Sequence, residues 1–292
     1  MLADEYALHK AAINDEINRR IAEHKAFATR RRSMFATTLT EGPEPLNILA
    51  QGDSWFDYPL PALSHSDVIA HLKAAPKSPT ILSLAHHGEA AEDMLGVQKL
   101  HRLIEQLDTG PGEAPYDAVL FSGGGNDIAG DQFRIWLSES AAVGANPAHG
   151  LRQQRVDGIL AVVRAAYEDL IAARDKISQK QHRSIPIFAH SYDFAIPTGK
   201  GVCGAGPWLK PGLDDRGWAQ QNGAPIVKAL LEQFAKLLDA LQASAPDFHH
   251  VKTQGMLNPN QWANELHPTP DGFSAISACF VFELRKVFPN RI

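Results

Sequence analysis

The chain has 292 residues, 44% of them apolar and 21% charged, with a formal net charge of −5. That length allows one large domain or two small ones, each with a full core, and the acidic balance argues against a nucleic-acid surface. Two cysteines, Cys203 and Cys279, are too few for a disulfide framework and lack metal-ligand spacing; both are expected as packed thiols.

In chain order, residues 3–33 are expected as one amphipathic helix. Ile13, Ile17 and Ile21 recur at i, i+4, and the other faces are charged. Arg30, Arg31 and Arg32 are expected to close it, since cations are favoured at a helix C-terminus. Residues 1–40 are expected to dock on a domain formed by 41–292 rather than on a membrane surface. No apolar run is long enough to span a bilayer. Asp4, Glu5, Asp15, Glu16 and Glu23 interrupt any secretory apolar core, so a cytoplasmic location is expected.

After the Gly42-Pro43 break, short apolar runs at 46–50, 80–85, 118–121, 185–189 and 248–253 alternate with helical patterns at 89–107, 156–176, 227–241 and 270–288. This alternation predicts an α/β fold, a parallel sheet of five strands covered by helices on both faces. Two segments, 129–150 and 195–223, fit no regular element. The first holds Trp136; the second is rich in Gly and Pro and holds Trp208 and Trp218. Each follows a strand and so falls at the carboxyl edge of the sheet, where open α/β folds place ligands. The second is expected to cover the site.

Four small blocks follow predicted strands and share that edge. They are Gly52-Asp53-Ser54-Trp55, His86-His87-Gly88, Ser122-Gly123-Gly124-Gly125-Asn126-Asp127 and Asn264-Glu265-Leu266-His267-Pro268. Serine becomes a nucleophile when a neighbouring base takes its proton, and His267 is the right type of base. A tetrahedral intermediate needs fixed donors, which the Ser54 and Gly88 amides and Asn126 Nδ2 can supply. Each block also has an ordinary reading. Ser54 suits a turn or N-cap, Gly88 a bend, Asn126-Asp127 turn chemistry, and His267 a surface position beside a proline.

The order of the four blocks resembles the SGNH, or GDSL-like, hydrolase superfamily, over most of the chain from residue 46 onward. The resemblance implies a flavodoxin-like three-layer α/β/α sandwich, with the Ser54 and Asn126 loops flanking a topological switch point. It implies Ser54 as nucleophile, His267 as base, and Ser54, Gly88 and Asn126 as the oxyanion hole. It implies hydrolysis of a small-molecule carboxylic ester by an esterase or lipase, with no cofactor expected. Trp55 stands where the common form has leucine. Asn264 stands where the family places an aspartate three residues before the histidine. Asn264, Glu265 or a backbone carbonyl could then orient the imidazole.

Two other functions compete. A metal-dependent phosphoesterase would use Asp53, Asn126, Asp127 and His190 as ligands; the pairs His86-His87 and His249-His250 are adjacent in sequence and cannot chelate from a strand. A non-catalytic domain would bind a ligand through the tryptophan-bearing loops. The triple glycine lacks both a dinucleotide fingerprint and a P-loop lysine. Trp55, Phe56 and Tyr58 suggest an aromatic wall beside the serine, or core packing.

Overall fold

A computed structural model describes residues 2–37, 44–58, 67–110, 115–130, 132–202 and 205–292. The expected boundary near residue 40, the Gly42-Pro43 break and Cys203 lie outside the described residues. Helix α1, Leu2–Thr37, precedes β1, Asn47–Gly52. Ile17 is buried and Ile13 and Ile21 pack against the core, as their spacing requires. Arg20 ties α1 down, donating to the Ala85 carbonyl and to Asp57, each at 3.0 Å. The helix runs past Arg30, Arg31 and Arg32, which therefore do not terminate it; no Gly or Pro interrupts it before residue 42.

The next elements are α2, Val68–Lys73; β2, Thr80–Ser83; α3, Ala91–Met94; and α4, Val97–Thr109. Helix α2 has no long apolar pattern, but Asp67 caps it by accepting from the Ala70 amide at 2.8 Å. The single helix expected over 89–107 is split. Gly96 is extended, with ψ of 153°, and separates α3 from α4. Then come β3, Ala118–Ser122; α5, Gly125–Ile128; α6, Phe133–Trp136; and α7, Gln153–Gln181. The chain ends with β4, Ile187–His190; α8, Lys210–Asp215; α9, Gln220–Ser244; β5, Phe248–Val251; and α10, Pro270–Val287. Of the two segments expected to be irregular, 129–150 contains α6 and two 3-10 turns, Ala141–Val143 and Pro147–His149, and 195–223 contains α8 and the first residues of α9.

All five strands are parallel, in the order β2-β1-β3-β4-β5. Ile48, Leu49 and Ala50 of β1 and Ala118 to Phe121 of β3 are wholly buried, which parallel strands covered on both faces require. The fold is the three-layer α/β/α sandwich the sequence predicts. Helix α1 lies along β2, covering an edge strand that would otherwise offer an open ladder. The chain leaves β1 outward to β2 and returns to β3 on the other side, so the switch point lies between the carboxyl ends of β1 and β3.

That crevice is closely packed. Gly52 pairs in register with Ser122, and the Asp53 amide donates to the Ser122 carbonyl at 3.0 Å. A Cβ on Gly52 would come within 2.8 Å of both Phe56 Cδ2 and Ser122 Cβ, so only glycine lets β1 end there. Gly124 has φ of +106°, and a Cβ would meet the Phe234 ring at 2.6 Å. The two glycines deliver Ser54 and Asn126 from one rung of the sheet.

Candidate active site

The turn after β1 is shaped by its own aspartate. Asp53 Oδ1 accepts from the Trp55 amide at 3.0 Å, and the Asp53 carbonyl accepts from the Phe56 amide at 3.0 Å. Beneath the turn lies a buried polar network. Tyr192 Oη donates to Asp53 Oδ2 at 2.5 Å, and Ser122 Oγ donates to Asp53 Oδ1 at 2.7 Å. With its proton committed to the carboxylate, Ser122 Oγ accepts from His190 Nε2 at 2.8 Å, while His190 Nδ1 accepts from the Tyr192 amide at 3.3 Å. Burial drives the His190 imidazole down to about 3, so it stays neutral in this role. Burial also raises the Asp53 carboxyl to about 6, against the pull of its three donors.

The last block folds back on itself: Trp262 bridges Pro268, and the Ala263 amide donates to the His267 carbonyl at 2.9 Å. Asn264 Oδ1 accepts from the backbone amides of Leu266 and His267, each at 3.0 Å, and lies 3.0 Å from His267 Nδ1. Its Nδ2 donates to Tyr58 Oη at 2.9 Å. Two backbone donors cannot face an amide NH₂, so the oxygen must point inward. His267 Nδ1 therefore carries the proton, and the Nε2 lone pair faces Ser54 Oγ at 2.7 Å. Tyr58 packs on the imidazole with ring centroids 4.5 Å apart. Burial, and secondarily the charge of His87, push His267 down to about 3, leaving a neutral acceptor at physiological pH.

Ser54, Asn264 and His267 are thus brought into one hydrogen-bonded line, and all three are buried. Asn126, on α5, lines the same cavity as Ser54 and His267. Its Nδ2 spends one N–H on the Glu89 carbonyl at 2.8 Å, which fixes the amide and leaves the second N–H. Gly88 occupies an exposed turn with φ of +80° and is not among the residues lining the cavity. The reason is local: β2 ends at Ser83, so the chain runs on for several residues before that turn.

Glu265 does not orient the imidazole. Its fully buried carboxylate accepts four backbone amides, from Gly199 at 2.8 Å, Trp208 at 2.6 Å, Leu209 at 2.7 Å and Lys210 at 3.0 Å. Neither this role nor that of Tyr58 or Tyr192 carries a sequence signal, since each depends on what the fold brings opposite. The aromatics after Ser54 pack in the core, and Trp55 also lines the cavity beside Ser54. Trp55 is 3% exposed, stacks on His190 at 5.0 Å and donates from Nε1 to the Leu266 carbonyl at 3.1 Å; Phe56 packs on Phe280 at 5.7 Å.

The ligand set of the phosphoesterase reading is engaged elsewhere. Asp53 and His190 serve the buried network, and Asp127 Oδ2 accepts from the Ala91 amide at 2.8 Å. Among the described residues no group of three or more His, Cys, Asp or Glu side chains is placed to hold a metal ion. Among them too, no helix is long and apolar enough to cross a membrane.

The cavity beside Ser54 holds about 50 Å³. Ser54, Asn126 and His267 line it together with Asp53, Tyr192 and Asp193; Trp55, Ile128, Phe133, Leu209, Val227, Leu230 and Leu231 are among its apolar lining residues. A hydroxyl that can lose its proton, a neutral imidazole to take it and a fixed amide donor therefore converge on a small apolar recess. Such a set can add an oxygen nucleophile to a carbonyl.

No family model and no curated protein matches the sequence. Solved structures do match in fold. A lipase from a goat rumen metagenome aligns with a TM-score of 0.51 at 13% identity, covering 81% of this chain and 96% of that one. A member of the lipolytic G-D-S-L family from Veillonella parvula aligns at 0.44 and 14% identity, over 81% and 96%. A catalytic mutant of an acetylxylan esterase from Geobacillus stearothermophilus aligns at 0.45 and 13%, over 84% and 96%. The chain therefore shares the fold of the rumen-metagenome lipase, with its sheet in the order β2-β1-β3-β4-β5.

Proposed function

We propose that this protein is a serine-dependent carboxylic ester hydrolase. The observation that carries the reading is the Ser54–His267–Asn264 line, 2.7 Å at its first link and 3.0 Å at its second. Ser54 Oγ attacks the ester carbonyl carbon as its proton passes to His267 Nε2. The C–O bond to the alcohol then breaks, and the alcohol leaves with that proton. Water, deprotonated by the same Nε2, releases the acyl group from Ser54 as a carboxylic acid. Asn264 holds the Nδ1–H tautomer throughout. Of the oxyanion donors the resemblance implies, Ser54 and Asn126 line the cavity, so the Ser54 amide and the second N–H of Asn126 are assigned that role.

Hydrolysis of 4-nitrophenyl acetate by wild type and by Ser54→Ala, each with and without a chelator, tests the reading. Turnover insensitive to the chelator and lowered by on the order of 10⁴ or more in the variant supports it. Chelator-sensitive turnover that survives in the variant would return the reaction to a metal site.

A further inference from the structure

The residue between Asn264 and the histidine turn faces away from the imidazole, and its surroundings are unusual. Glu265 is wholly buried, and its carboxylate accepts from four backbone N–H groups, that of Gly199 and those of the consecutive residues Trp208, Leu209 and Lys210. A buried carboxylate is tolerated only where donors replace its water, and charge-assisted bonds of this kind are strong and geometrically strict. The segment they hold crosses the site. Trp208 sets its ring edge-on to His267, with centroids 5.5 Å apart, and Leu209 lines the cavity beside Ser54. Apolar packing alone would let such a loop settle in several ways; four hydrogen bonds to one carboxylate place Leu209 in a single position. The recess so closed, about 50 Å³, is far below the roughly 300–1,000 Å³ of pockets that bury drug-sized ligands.

We infer that residues 205–210, latched by Glu265, are a fixed wall that limits the acyl group to short chains, acetyl to butyryl, and that Glu265 is the positioning residue for this selectivity. The inference rests on the ester-hydrolase reading. The latch and the chemistry sit on adjacent residues of one turn, so the position of the base and the size of the acyl recess are set together. Glu265→Gln replaces one acceptor oxygen by an NH₂ group that faces backbone donors, and so releases the wall without changing its residues.

The test compares wild type, Glu265→Gln and Leu209→Ala. It reads kcat/KM for 4-nitrophenyl acetate and hexanoate, hydrogen exchange at the Trp208, Leu209 and Lys210 amides, and fluorophosphonate labelling of Ser54. Wild type should favour acetate. Glu265→Gln should speed exchange at those amides at least about tenfold relative to the sheet and raise the hexanoate-to-acetate ratio about tenfold, with Ser54 still labelled. Leu209→Ala, which keeps every amide donor to Glu265, should move the ratio the same way, so the inference stands exposed even if Glu265→Gln does not fold. Faster exchange with an unchanged ratio, an unchanged ratio in Leu209→Ala, or a wild type that takes hexanoate as readily as acetate overturns the wall while leaving the hydrolase intact. Absence of both hydrolysis and Ser54 labelling in wild type removes the hydrolase reading, and the inference with it.

Discussion

Asn264 Oδ1 lies 3.0 Å from His267 Nδ1, in the place where an ion-paired triad would hold a carboxylate oxygen. Its orientation is settled by two backbone amides that also donate to it and by Tyr58, which receives its NH₂. The imidazole is thereby oriented without a neighbouring negative charge. Orientation and charge stabilisation, usually supplied by one aspartate, are separated here, and only the first is present.

That separation makes Asn264 informative to change. Asn264→Ala deletes the acceptor for Nδ1–H and two backbone donors, so kcat should fall about 10²-fold, with KM little altered and the loss smaller than in His267→Ala. Asn264→Asp keeps the geometry and adds an anion, and the Tyr58 hydroxyl can turn to donate to it. An anion there favours the imidazolium, so His267 should rise from about 3 and the acid limb of kcat/KM should move to higher pH. A profile unmoved in Asn264→Asp would show that the side chain does not contact the base in solution.

Asn126 is held by one N–H on the Glu89 carbonyl and offers the other to the cavity. An oxyanion donor acts in the transition state. Asn126→Ala should therefore lower kcat about 10² to 10³-fold and leave KM nearly constant. Steady-state kinetics on a short ester decide it; a change confined to KM would make Asn126 a binding residue only.

Asp53 carries a structural load. Its carboxylate receives Tyr192, Ser122 and the Trp55 amide, all buried. Asp53→Ala strands these donors, at about 1–3 kcal/mol for each group left unsatisfied. Urea unfolding should show a loss of several kcal/mol, with Asp53→Asn milder because it keeps an acceptor oxygen. Equal, small losses in both variants would mean that the network contributes little.

Acid should weaken the fold through its buried histidines. Burial lowers His190 and His267 to about 3 and His24 to about 4. The unfolded chain takes protons at these sites near 6.5 and the native chain does not, so their stabilisation is present above that pH and lost as pH falls below it. Asp53 and Asp67, raised to about 6 by burial, oppose this, because the native state keeps protons that the unfolded chain releases near 3.8. His267→Gln removes one histidine from the balance, so its unfolding free energy should fall less steeply between pH 6.5 and 4, by up to about 1.4 kcal/mol per pH unit. Parallel pH dependences in wild type and variant would contradict the assignment of a buried neutral His267.

Five apolar runs and their order sufficed to read the sheet, because strands buried on both faces must be continuous apolar stretches. That Ser54, Asn126, Asn264 and His267 share one edge is legible for a related reason: parallel strands bring whatever follows them there. What escaped depended on partners far away in sequence. In sequence Glu265 is a candidate to orient the imidazole, and only the backbone amides of Gly199, Trp208, Leu209 and Lys210 show where it points. Tyr58 suggests an aromatic wall or core packing in sequence, and neither its bond to Asn264 nor that of Tyr192 to Asp53 has a local signal. Short helices such as α2 and α6 lack the length for a periodic signal, and a single extended glycine, Gly96, broke a pattern that periodicity alone would have joined.

The central claim is that Ser54 is a nucleophile activated by His267, and covalent titration tests it most directly. A fluorophosphonate incubated with the purified protein, followed by intact-mass and peptide analysis, should add one group per chain at Ser54. Labelling should be slowed strongly in His267→Ala and absent in Ser54→Ala. No adduct in wild type, or an adduct on another residue that persists in Ser54→Ala, would contradict the account.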